Sequence, residues 1–201
     1  MKKLAYLLLF IPLISNQINN REHDDFISFQ KSLQGFPNSY KTGDTLTSLD
    51  YSILNNDRFI DTIFLIRYQL IDTSFKTIYK PQTLSGYNCT FIGRYNNKNS
   101  FLILTYSIKT LSDDGNHMLT LSNFSNDGKL LGMIRTDLEY EHDPELRPIT
   151  YFSISPDFGI YINQVEKRYK FDNDEYHLTD SSSVIMKYKI GSDGKFLLKS
   201  K

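Results

Sequence analysis

The chain has 201 residues, of which 40% are apolar and 23% charged, a globular composition that argues against disorder. Its 23 basic and 23 acidic residues cancel, so bulk charge supports neither nucleic-acid nor membrane-surface binding. A single cysteine, Cys89, excludes an intramolecular disulfide framework and a multi-cysteine zinc site.

The amino end reads MKKLAYLLLFIPLIS. Lys2 and Lys3 are followed by an apolar run over 4–14, too short to span a bilayer and suited to a secretory leader. We expect a signal peptide over 1–15, a polar linker over 16–23 and one α+β domain over 24–201. The expected location is the periplasm or the cell surface, with an uncleaved amino-terminal anchor as the alternative and no transmembrane span. Ile, Tyr and Phe are abundant while Ala5 is the only alanine, a codon-usage bias that weakens propensity as β evidence. Periodicity therefore carries the structural reading.

Phe26, Phe29 and Leu33 fall on one helical face, with Asp24 or Asp25 as cap and Gly35 then Pro37 as stops. Residues 38–51 read as a loop. Asn56 or Asp57 can cap a second helix with Phe59, Ile63, Ile66 and Leu70 along one stripe, and a buried strand over 62–70 competes with it.

From Pro81 onward, short apolar or alternating runs alternate with turn signals. Strands are predicted near 87–95, 100–109, 117–124, 129–140, 149–155, 158–170, 184–190 and 195–199. The punctuation is Asn96-Asn97, Asp113-Asp114-Gly115, Asn126-Asp127-Gly128, Pro156-Asp157-Phe158-Gly159 and Ser192-Asp193-Gly194. Asp-Gly admits the positive φ of tight hairpin turns, so consecutive hairpins form a meander. The predicted fold is α+β: one or two short amino-terminal helices, within 24–80, on an antiparallel meander of six to eight strands, within 81–201. One sheet face meets the helices and the other meets water, and a barrel or propeller-like sheet is the alternative. The likeness of 124–131 to 190–197 is read as one turn chemistry used twice.

A leader, an Asp-Phe-x-x-Phe helix, an apolar segment and a meander closing on Tyr188-Lys-Ile-Gly-Ser-Asp-Gly-Lys-Phe-Leu197 together resemble a loose group of uncharacterised secreted or lipid-anchored proteins of Gram-negative bacteria. The resemblance covers most of residues 22–201 and rests on structural turns. The chain lacks the lipobox cysteine of the lipoprotein members. The group implies no activity and supplies no catalytic residue.

Asp137, Glu139 and Glu141 are the candidate cation ligands or acids, because a strand places them on one face. A solvated outer face is the plainer account of them. Asp172-Asn-Asp174-Glu175 opens like an EF-hand loop, but His177 occupies the required glycine position, so it reads as a polar loop; residues 181–183 read as a polar linker. His23, His117, His142 and His177 show no helical zinc spacing. Nucleophile elbow, phosphate loop and dinucleotide turn are all missing. Among the 28 Tyr and Phe residues, Tyr151, Tyr161 and Tyr169, with Tyr176 and Tyr188, are candidates for an exposed stripe that anchors a protein partner. No catalytic residue and no cofactor is expected. The leading expectation is a non-catalytic exported binding module with an envelope protein partner. The alternatives are a small-ligand or cation-binding protein, or an envelope polymer hydrolase using the acids of 137–145.

Overall fold

Residues 25–47, 49–54, 57–68, 70, 87–109, 116–139 and 146–200 are described by a computed structural model. The expected leader and linker, and the Asp113-Asp114-Gly115 turn, lie outside these residues.

Helix α1 (25–34) buries Phe26, Phe29 and Leu33, as the periodicity requires. It closes with the Gly35 N–H donating to the Ser32 carbonyl at 3.3 Å, and Pro37 cannot extend it. The expected loop at 38–51 contains strand β1 (Leu46–Thr47) and runs into a single helical turn, α2 (Tyr51–Leu54). Helix α3 (Thr62–Arg67) decides the second segment in favour of helix, but a shorter one than the stripe predicts. Phe59 is 55% exposed. The cause is local: the Ile60 N–H donates to the Cys89 carbonyl at 2.9 Å and the Phe91 N–H to the Arg58 carbonyl at 2.8 Å. Residues 58–60 are thus held extended, where side chains alternate, and Ile60 turns inward while Phe59 turns out.

Two antiparallel sheets follow among the described residues, and neither closes into a barrel there. The strands β2 (Tyr87–Asn97), β3 (Ser100–Lys109), β4 (Asn116–Ser125) and β5 (Leu130–Glu139) pair in chain order. The strands β6 (Leu146–Ile154), β7 (Ile160–Asp172), β8 (Glu175–Ile190) and β9 (Phe196–Ser200) form the second sheet, with β1 at its far edge beside β6. The single helix-covered sheet expected from the sequence is thereby corrected. One face of the four-stranded sheet carries Phe91, Phe101, Ile103 and Phe124 against α1 and α3. Its other face carries Ile92, Leu102, Leu104 and Leu121 against Phe152, Ile154, Ile160 and Ile162 of the second sheet. Both faces are dry, which is why alternation fades in β3.

The expected Asn96-Asn97 turn is displaced, since both residues pair inside β2 and the turn falls on Lys98-Asn99, while the two Asp-Gly turns follow the sequence signals. At Asp127-Gly128 the Gly128 N–H reaches the Ser125 carbonyl at 3.0 Å, and at Asp193-Gly194 the Gly194 N–H reaches the Gly191 carbonyl at 3.0 Å. The echo between 124–131 and 190–197 is therefore a repeated hairpin turn. Tyr40 ties the layers together: its hydroxyl donates to the Asp44 carbonyl at 2.7 Å and accepts the Ile154 N–H at 2.8 Å. The Tyr95 hydroxyl donates to the Tyr40 carbonyl at 2.9 Å.

Gly128 has φ +92°, and a Cβ there would lie 2.5 Å from Phe26 Cγ; Gly43 has φ +97° with nothing within 4 Å. Gly43→Ala should cost about 1–2 kcal/mol for left-handed backbone alone. Gly128→Ala should add about 1–3 kcal/mol of overpacking, and urea midpoints of the two variants measure the difference. Burial also raises the phenols of Tyr40 and Tyr95 above 10.0 and the Cys89 thiol from 9.0 to about 12. These acids stay neutral in the folded chain after their unfolded counterparts ionise, so stability is complete below pH 9 and falls as pH rises from there toward the folded values. Unfolding free energy should decline from pH 8 to 11, less steeply in Cys89→Ala.

Candidate functional site

The acidic candidates divide. Asp137 and Glu139 lie in β5, opposite Met118 and His117, with a bulge between those two β4 positions. Glu141 lies outside the described residues. No group of three or more His, Cys, Asp or Glu side chains that could hold a metal occurs among the described residues. His117 takes a hydrogen bond with the Tyr106 hydroxyl, and His177 is exposed on β8. Cys89 is fully buried and its thiol is held well above its ordinary range, an inert state. No helix among the described residues is long and apolar enough to cross a membrane.

The expected polar loop and linker over 172–183 are replaced by a hairpin. Asn173 (φ 51°) and Asp174 (φ 64°) form a two-residue turn with both φ values positive, the geometry whose twist matches the flanking strands. Strands β7 and β8 then pair from Asp172↔Glu175 back to Ile160↔Tyr188. Ser181, Ser182 and Ser183 lie inside β8, opposite Lys167, Glu166 and Val165. A bulge falls where Arg168 faces Asp180 and Tyr169 faces Leu178. Thr179 is the extra residue, and its hydroxyl donates to the Arg168 carbonyl at 3.1 Å.

This hairpin leaves the core. β6 flanks β7 only as far as Arg168, and β9 flanks β8 only over Lys187–Ile190. Residues 175–185 are all exposed. From Glu175 to Met186, roughly 35 Å at strand rise, β8 pairs with no strand on its outer side among the described residues, and the Ser181 N–H donates to the Asp180 carboxylate at 2.8 Å.

Directly paired residues share a face. Tyr169 with Leu178, and Phe171 with Tyr176, therefore stand together at the ribbon tip. The Phe171 and Tyr176 ring centroids are 4.9 Å apart. Phe171 is 50% and Leu178 56% exposed. Ile185, opposite Asn163, continues the same face toward the body, while Val184, opposite Gln164, turns to the other. Of the three tyrosines singled out by sequence, Tyr169 belongs to the tip. Tyr151 and Tyr161 are diagonal neighbours near the base, since Tyr151 faces Asn163 and Ser153 faces Tyr161. Eight residues of strand, roughly 26 Å, separate Tyr161 from Tyr169, so the three do not form one patch.

Phe171, Leu178 and Ile185 escape the sequence reading because Asp172-Asn-Asp-Glu175 resembles a cation loop. The usable signal was alternation on both sides of Asn-Asp: Tyr169 and Phe171 before it, Tyr176 and Leu178 after it.

Side chains that cover nothing contribute little to folding. Leu178→Ser should shift the unfolding free energy by no more than about 0.5 kcal/mol, against about 3–5 kcal/mol for Phe152→Ala in the core. Denaturant titration of the two variants checks this.

The chain matches no family model, no curated protein and no solved structure. Function is therefore read from its own geometry.

Proposed function

We propose that this is a non-catalytic exported protein that binds a protein component of the bacterial envelope through the β7–β8 ribbon. The observation that carries the proposal is the tip cluster of Phe171, Tyr176 and Leu178: large apolar side chains held on two strands beyond the core and about half exposed. Contiguous exposed apolar surface of this kind is characteristic of contact sites. Aromatic side chains are efficient anchors, since they bury much area for little lost rotamer freedom. Export is supported by the charged and apolar leader over 1–15.

The test is a crosslinked pull-down of the tagged chain from its own host, with a tag-only control and a Phe171→Ser/Leu178→Ser variant. The wild-type chain should capture one dominant envelope protein, and the variant, still folded, should lose it. No specific partner, or equal capture by the variant, would overturn the proposal.

A further inference from the structure

The chain carries no net charge, but its second sheet sorts charge by face. The core takes Phe152, Ile162 and Met186, so their strand neighbours Tyr151, Tyr161, Ile185 and Lys187 stand on the outer face. Lys189 and Leu197, paired with each other, extend that face. The four ribbon carboxylates, Glu166, Asp172, Glu175 and Asp180, all fall on the other side. No Asp or Glu stands on the outer face of these strands among the described residues. The nearest carboxylates are at the rim. Asp50 accepts from the Thr47 hydroxyl at 3.0 Å, and Asp157 accepts from the Ser155 hydroxyl at 2.5 Å, within electrostatic reach of Lys189. Lys187 and Lys189 are exposed, and neither forms an ion pair among the described residues. By register, Lys167 opposite Ser181 and Arg147 opposite Lys167 continue the row of cations toward the ribbon.

We infer that this outer face rests reversibly on an anionic lipid surface, with Tyr161, Ile185 and Leu197 at headgroup depth and Lys187 and Lys189 on lipid phosphates. Charge complementarity names the sign of the occupant, since cations stand on this face and carboxylates are confined to the other side and the rim. The contact lies at the base of the sheet, away from the ribbon tip, and does not rest on the protein partner proposed there.

The kind of side chain names lipid among anions. Tyr161, Ile185 and Leu197 are 42%, 46% and 44% exposed, and Lys187 stands directly opposite Tyr161. An apolar body beside a lysine stem suits the membrane interface, where the ring or branch enters and the ammonium stays wet. Protein contact surfaces are depleted in lysine. Fixed recognition of a carboxylate or phosphate favours the planar fork of arginine, whereas lysine is a point charge on a flexible stem. Each lysine near an anionic lipid surface raises affinity about fivefold, so Lys187 and Lys189 together give about 25-fold. That is too little alone, and the apolar side chains supply the remainder, which makes the contact peripheral and sensitive to salt.

The experiment uses the full chain and vesicles of equal parts phosphatidylglycerol and phosphatidylcholine, with pure phosphatidylcholine vesicles as the comparison. A polarity-sensitive dye on Ser183→Cys, on the outer face, should shift to the blue on the anionic vesicles only. The same dye on Ser182→Cys, one residue away on the other side, should not shift, and buried Cys89 does not take the label. This readout is specific to the face, so attachment through the leader does not mimic it. Raising salt from about 0.1 to 1 M shortens the Debye length from about 10 to 3 Å and should reverse the shift. Lys187→Gln/Lys189→Gln should raise the lipid concentration at half-shift about 25-fold with the melting temperature unchanged. Ile185→Ser/Leu197→Ser should raise it as well. Arg168→Gln/Lys170→Gln removes equal charge from the other side and should leave it unchanged. No shift at Ser183→Cys, equal shifts at the two positions, or an equal shift on phosphatidylcholine overturns the inference. Loss of the pull-down partner in Lys187→Gln/Lys189→Gln without a vesicle response assigns the face to an acidic protein and overturns it too. The vesicles contain no protein, so the ribbon-tip proposal stands or falls separately.

Discussion

Everything in this molecule depends on β3 being dry on both sides. Residues 101–107 are all buried, from Phe101 through Ser107. A strand in that position cannot be served by one layer. α1 and α3 cover the face of Phe101 and Ile103, and the second sheet covers the face of Leu102, Leu104 and Tyr106. The connections must then fit tightly. Gly128 lies against the Phe26 ring, and Gly194 lies against Leu131. Asn123, buried in β4, donates from Nδ2 to the Gly194 carbonyl at 2.7 Å, so the β8–β9 turn is bonded to the opposite sheet. Tyr40 does the same work at the other side, joining β6 to the loop that leads from α1.

The second sheet lives under two regimes. Its β6–β7 half supplies Phe152, Ile154, Ile160 and Ile162 to the common core. Its β7–β8 extension, from Asn163 and Ile185 outward, supplies none of the residues that form that core or pack on it. The polar contacts there are local and wet: Arg168 reaches Glu166 at 3.0 Å with both side chains largely exposed, a pair of small energetic consequence. Cross-strand contacts such as Phe171 with Tyr176 give the ribbon its shape, and backbone ladder bonds give it its length. Marginal stability in the extension and high stability in the centre are compatible in one chain, because stability is distributed locally. This division separates the exposed ribbon from the surfaces that fold the protein.

Legibility in the sequence tracked burial. The Phe26, Phe29, Leu33 spacing marks α1 because only one face of it is buried, and Gly35-Phe-Pro37 ends it by backbone chemistry that context does not override. Asp-Gly turns mark two hairpins for the same reason. The partition into two sheets was not legible, since β3 buries both faces and so carries no alternation to say which neighbour lies where. Phe59 was misplaced by helical spacing because its backbone pairs with β2, a contact made across 31 residues of chain. The ribbon was the largest miss. Glu175-Tyr-His-Leu-Thr-Asp-Ser-Ser-Ser183 has the composition of a loop, and it is a strand only because β7 opposes it. Of the candidate site, Tyr169 and Tyr176 were legible as aromatics; their assembly with Phe171 and Leu178 required the turn at Asn173-Asp174.

Native-state hydrogen exchange, followed at dilute concentration with residue resolution, tests the central ordering most directly. Amides of β3 from Leu102 to Tyr106 are expected to exchange only through global unfolding. Amides of β8 from Tyr176 to Ser183 are expected to exchange orders of magnitude faster, through local opening of the ribbon. Equal protection of the two strands, or exchange from β3 before β8, would contradict a fold anchored on a strand buried from both sides with a ribbon free of the core.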